Sequence, residues 1–112
     1  MKILIFASNY VGYEIVKYLI TQFTEDKFTI VILEDKNQKI KKYKIKIKSF
    51  LKKKKIKYLN YNIFLKDIKN YKFDWMLNLW GGKIFSKEII KISKNTLNIH
   101  PSFLPYAKGK DP

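Results

Sequence analysis

An α/β domain with a mostly parallel sheet is the fold class this sequence predicts, and three observations predict it. Its apolar runs, Ile3-Leu-Ile-Phe-Ala7 and Phe28-Thr-Ile-Val-Ile-Leu33, are continuous and not alternating, as strands buried on both faces require. Between the runs lie segments whose apolar residues recur every three or four positions, the spacing of amphipathic helices. No internal repeat and no Pro-rich linker divides the 112 residues, so residues 1–112 form one unit with one core.

Lys2 to Ala7 is the first strand, and Ser8-Asn9-Tyr10-Val11-Gly12 turns out of it. From Val11 the positions Ile15, Val16, Tyr18, Leu19 and Ile20 fall at helical spacing, which predicts a helix over Val11 to Phe23. Strand, turn and helix together make a Rossmann-like unit, although Gly12 alone falls short of the Gly-rich dinucleotide fingerprint. Ser8, Asn9 and Gly12 either cap and turn the chain or contact a substrate at the strand ends. Phe28 to Leu33 is rich in β-branched residues and gives the second strand. Lys36 to Lys42 is polar and reads as a loop. Ile40, Tyr43, Ile47, Phe50 and Leu51 then mark an amphipathic helix within 40–55, with Lys44 to Lys48 open to a short-strand alternative. Lys52 to Lys55 reads as the solvated end of that helix, where cations suit the macrodipole.

Ile56 to Asn60 is a short third strand, and Ile63 to Asn70 a short helix or turn. Phe73 to Leu79 is a fourth strand. Trp80-Gly81-Gly82 follows, two glycines that permit close backbone approach. Ser86 is a plausible N-cap for a helix over Lys87 to Ile92. Thr96 to His100 is expected to be the fifth strand, and a buried one. The whole is a three-layer, Rossmann-like α/β domain.

Composition narrows the function classes. No Cys and a single His exclude a disulfide framework and a thiolate metal site, and make a zinc site implausible; no metal is expected. No apolar run reaches the length of a membrane span, and Ser8-Asn9 follows the first strand without a cleavage site, so a cytoplasmic protein with no membrane partner is expected. The net charge of +15, from 24 basic and 9 acidic residues, points toward polyanions. Every basic residue is Lys, however, and Arg is the preferred group for bidentate phosphate and base-edge contacts, so specific nucleic-acid binding is disfavoured against a solvated lysine surface.

The only His, His100, stands two residues after Asn98 where the last strand ends. Positions two apart in a strand share a face, so the two side chains are able to aim at one spot. A neutral amide beside an imidazole suits carbonyl chemistry: the amide donates to a developing oxyanion and the ring moves protons.

The longer string Asn98-Ile-His100-Pro-Ser102-Phe-Leu-Pro105, with Gly109 four residues on, closely resembles the signature of the folate-dependent formyltransferase family. The resemblance implies transfer of a formyl group from 10-formyltetrahydrofolate to a small-molecule primary amine. Asn98 and His100 would be the catalytic pair, with Ser102 and Pro105 shaping their loop. Gly82, Lys83, Ile84 and Phe85 resemble the segment that lines the folate's pterin pocket, and Gly109 a lip over the substrate. The turn at Ser8, Asn9 and Gly12 lacks the phosphate loop of purine-pathway members and departs from the tRNA-modifying type as well, which favours a nucleotide-linked amino sugar as acceptor. A methionyl-tRNA or glycinamide ribonucleotide formyltransferase fragment, and a non-catalytic Lys-rich binding module, are the alternatives.

One departure weighs on activity. The family orients its His with an Asp well downstream, and residues 1–112 stop short of it; Asp111 is too near His100 to be that residue. The chain therefore reads as the N-terminal part of a formyltransferase catalytic domain, incomplete at its C-terminus and impaired by itself. A sheet left incomplete after its fifth strand is expected to self-associate or to pair with the missing segment.

Overall fold

The computed structural model describes residues 1–33, 38–79 and 85–99, with the backbone alone over 38–40. The elements run β1 (Lys2–Ala7), α1 (Tyr10–Gln22), β2 (Lys27–Ile32), α2 (Gln38–Lys54), β3 (Lys57–Asn60), α3 (Tyr61–Lys66), a 3-10 turn (Ile68–Asn70), β4 (Phe73–Asn78), α4 (Lys87–Ile90) and β5 (Ser93–Asn98). The five strands form one sheet in the order β3-β2-β1-β4-β5, and each of the four pairings is parallel. The predicted α/β, Rossmann-like arrangement is therefore observed, with the sheet wholly parallel.

The side-chain alternation of β1 divides the core into two layers. Ile5 and Ala7 face α1 and α2, joining Val16, Ile20, Ile30, Ile32, Ile47 and Leu51. Leu4 and Phe6 face the other way and join Val31, Phe64, Met76 and Ile89. β1 is buried on both sides because it is central, which is why its sequence carries no polar residue between Ile3 and Ala7.

Polar side chains start three of the helices. The Asn9 carboxamide oxygen accepts from Gly12 N–H at 2.8 Å, Asn60 does the same for Ile63 N–H at 2.8 Å, and Ser86 Oγ accepts from Ile89 N–H at 3.4 Å. α2 ends differently. Lys55 N–H donates to Lys52 O at 3.2 Å and Ile56 N–H to Leu51 O at 3.0 Å, the paired bonds of a Schellman end. The residue in the left-handed position is Lys55, at φ 57, where glycine is usual and a side chain costs about 1 kcal/mol.

Three expectations need correction. Residues 38–42 are helical and not loop, because Gln38 and the lysines after it are good helix formers; the short-strand alternative at 44–48 falls with the same helix. α3 starts at Tyr61, two residues early, because Asn60 caps it. The last strand spans Ser93–Asn98 and is an exposed edge, not a buried strand: Lys94 to Asn98 are all exposed, and Leu97 keeps 47% of its surface. Its place is set by pairing with β4, Leu77 opposite Leu97 and Asn78 opposite Asn98. Among the described residues, no helix is long and apolar enough to cross a membrane.

Candidate functional site

The chain runs from β1 outward to β3 and then returns to the other side of β1 for β4, so the strand order reverses between β1 and β4. In open parallel sheets, the crevice outside the carboxyl ends at such a reversal is where ligands bind. The rim here is flush. Leu79 N–H donates to Phe6 O at 3.0 Å, and Ile99 N–H to Asn78 O at 2.9 Å, carrying the ladder past the ends of β4 and β5.

Polar groups collect on this rim. Among the described residues the buried polar side chains are Ser8, Asn9, Lys44 and Asn78, and all but Lys44 lie at the carboxyl ends of β1 and β4. Ser8 Oγ is fully buried and has no hydrogen-bond partner among the described residues, a costly state for a hydroxyl unless something satisfies it. Asn9 spends its carboxamide oxygen on the α1 cap. Gly12 lies in the first turn of α1, hard against β1: a Cβ there would stand 2.9 Å from Ala7 Cβ. Close packing thus accounts for this glycine without a ligand.

Asn98 ends β5 directly opposite Asn78, which in turn is opposite Phe6 of β1. The alternation places Asn98 on the α3/α4 face of the sheet, and its side chain is exposed. An exposed carboxamide beside a buried one, one strand away from the orphan Ser8 region, is a set of neutral donors and acceptors that fits a carbonyl-bearing substrate. Asn78 was not singled out in the sequence; a polar residue closing the apolar run Trp75-Met-Leu77 was the signal.

Phe85 is half-buried, and its ring lies 4.4 Å from that of Phe6, so at least one of its roles is packing. Gly82, Lys83, Ile84, His100, Ser102, Pro105 and Gly109 lie outside the described residues. The structure thus brings Ser8, Asn9, Asn78 and Asn98 to one edge of the sheet. Among the described residues, no cluster of His, Cys, Asp or Glu is able to hold a metal ion.

No family model and no solved structure matches the chain significantly. Two curated proteins do match over its whole length. Methionyl-tRNA formyltransferase of Borrelia garinii subsp. bavariensis is 30% identical over 119 residues, and that of Borreliella afzelii is 32% identical over 120. The chain spans 37% of the length of each. Likeness at this level over every residue, together with the parallel α/β sheet, supports a relationship between this chain and the formyltransferase family.

Proposed function

We propose that the chain supplies the amino-terminal catalytic portion of an enzyme that moves a formyl group from 10-formyltetrahydrofolate to a primary amine. The observation that carries the reading is Asn98 at the carboxyl end of β5, opening the sequence string Asn98-Ile-His100, in a chain similar throughout to proteins named methionyl-tRNA formyltransferase. The amine nitrogen attacks the formyl carbon and a C–N bond forms. The carbonyl oxygen becomes an oxyanion, to which the Asn98 amide donates. The bond from carbon to the folate nitrogen then breaks, and the proton lost by the amine passes to that nitrogen, with His100 as the shuttle. Gly82, Lys83, Ile84 and Phe85 would line the folate side, and Ser8, Asn9 and Gly109 the amine side. Cytoplasmic placement goes with that chemistry.

The names of the two relatives favour the amino group of an aminoacylated tRNA as acceptor. The nucleotide-linked amino sugar rests only on the glycine-poor turn after β1, whose single glycine is explained by packing.

The test joins this chain to the remaining segment of the Borrelia garinii relative, the part in which the resemblance implies the orienting Asp, and measures formyl transfer to methionyl-tRNA and to an amino-sugar nucleotide. Transfer to methionyl-tRNA is expected, abolished by His100→Ala and lowered about 10²- to 10³-fold by Asn98→Ala, the usual effect of losing one oxyanion donor. Residues 1–112 alone are expected to be slower by roughly 10²-fold or more, lacking the orienting carboxylate. A folded chimera that formylates neither acceptor refutes the assignment.

A further inference from the structure

At the opposite, amino-terminal edge of the sheet lies a cleft of about 500 Å³, far from the candidate catalytic rim. Its lining includes Lys2, Lys27, Lys55, Lys57 and Lys72. All five are exposed. The one carboxylate in the lining, Asp26, is already engaged by the amino-terminal ammonium at 2.8 Å. The cleft therefore carries an uncompensated positive field.

Two further features distinguish it from an ordinary lysine-coated surface. Lys57 is held, not free: its ammonium sits 5.1 Å from the centre of the Tyr71 ring and 3.5 Å from the Tyr71 hydroxyl. Tyr71 is itself fixed by stacking on Phe64 and Phe73. Lys55 occupies the left-handed helix-end position where glycine would be relaxed, so the chain keeps a cation in the cleft at the expense of local strain. Exposed Lys52, Lys53 and Lys54 immediately precede Lys55 in the last turn of α2, so further cations adjoin the cleft beyond its own lining.

We propose that this edge binds the phosphate backbone of a nucleic-acid chain. Lysine ammoniums act as point charges that neutralise phosphates without reading sequence, which suits an all-lysine site. Five exposed lysines from four strand starts and a helix end, with three more just before Lys55, favour a strand of several phosphates over a compact nucleotide. The site does not depend on the catalytic reading, since it lies on the other edge and needs neither folate nor a reactive amine.

The experiment uses the full chain and a fluorescent single-stranded RNA of about 15 nucleotides, with ATP as the compact polyphosphate arm. Micromolar binding at low salt is expected, weakening steeply as salt rises, with a log–log slope near −0.7 per phosphate neutralised. The triple variant Lys27→Glu, Lys55→Glu, Lys57→Glu should bind at least tenfold more weakly. A matched triple, Lys42→Glu, Lys46→Glu, Lys91→Glu, changes net charge equally and should bind within about threefold of the unaltered chain. Lys55→Gly guards against misfolding: it should weaken binding and lessen the salt slope by about 0.7 while raising Tm, because it removes one charge and relaxes one strained residue. Equal losses in the two triple variants, Lys55→Gly binding like the parent, or ATP binding as tightly as the RNA would each overturn the assignment.

Discussion

Replacing Gly12 by Ala tests the tightest joint in the fold. Gly12 sits three residues into α1 beyond the Asn9 cap, where it buries its backbone against the end of β1. An added Cβ would meet Ala7 Cβ at 2.9 Å, Ala7 Cα at 3.3 Å and Asn9 Oδ1 at 3.4 Å. Relaxed carbon contacts lie at about 3.5–4.0 Å, so the first distance is short by more than half an ångström. Neither Ala7 atom is the end of a flexible side chain, so the helix or strand must move. Alanine gains at most ~1 kcal/mol in helix propensity over glycine, and less in the first turn. Overpacking costs about 1–3 kcal/mol. Shifting the helix also stretches the 2.8 Å bond from Gly12 N–H to the cap. The net expectation is a loss of roughly 1–2 kcal/mol, or about 4–16 °C in Tm for a domain near 100 residues. Thermal and urea unfolding followed by circular dichroism measure it. Ala7→Gly removes the methyl that would be struck, so Ala7→Gly/Gly12→Ala should be less damaged than the sum of the singles by about 1 kcal/mol. A Gly12→Ala protein as stable as the parent, or a cycle with no coupling, would refute the packing argument.

Two other outcomes are expected. Asp74 has a carboxyl held below its ordinary pKa, first by the Lys2 backbone N–H at 2.7 Å and then by Lys94. A carboxyl depressed in the fold contributes stability above its unfolded value of about 3.9 and loses it as pH falls through the lower folded value. Urea midpoints should therefore drop below about pH 4, and Asp74→Asn should flatten that acid limb; an unchanged limb contradicts the role. The exposed β5 edge with Leu97 should make the chain associate as concentration rises, and Leu97→Lys should suppress it, as sedimentation velocity would reveal. Identical monomeric behaviour of both proteins would refute the edge as the cause.

Legibility from sequence followed burial. β1, β2 and β4 were readable because both of their faces meet helices, which forces continuous apolar runs. β5 was misplaced by three residues at its start because an edge strand needs no such run: Ser93-Lys94-Asn95 pairs with β4 through its backbone while its side chains stay near water. The early part of α2 was missed because lysines give it no apolar stripe, only propensity. For the candidate site, the Ser8-Asn9 turn could be found because it follows a run that plainly ends, and Asn98 because it stands two residues before the only His. Asn78 closes its run, but only the strand order shows that this strand end faces the reversal. The basic cleft was not readable at all, since it gathers Lys2, Lys27, Lys57 and Lys72 from four separate strand starts.

The central position of the first strand has a consequence for synthesis. β1 pairs with β2 across 25 residues, but its other flank waits for β4, where Lys2 N–H reaches Asp74 across 72 positions. At a ribosomal pace of about 5–20 residues per second, β1 spends roughly 4–14 s with Leu4 and Phe6 half-dressed before that partner is made. The nascent chain is thus most vulnerable to mispairing at β1, and a chaperone that shields it should contact Lys2 to Ala7.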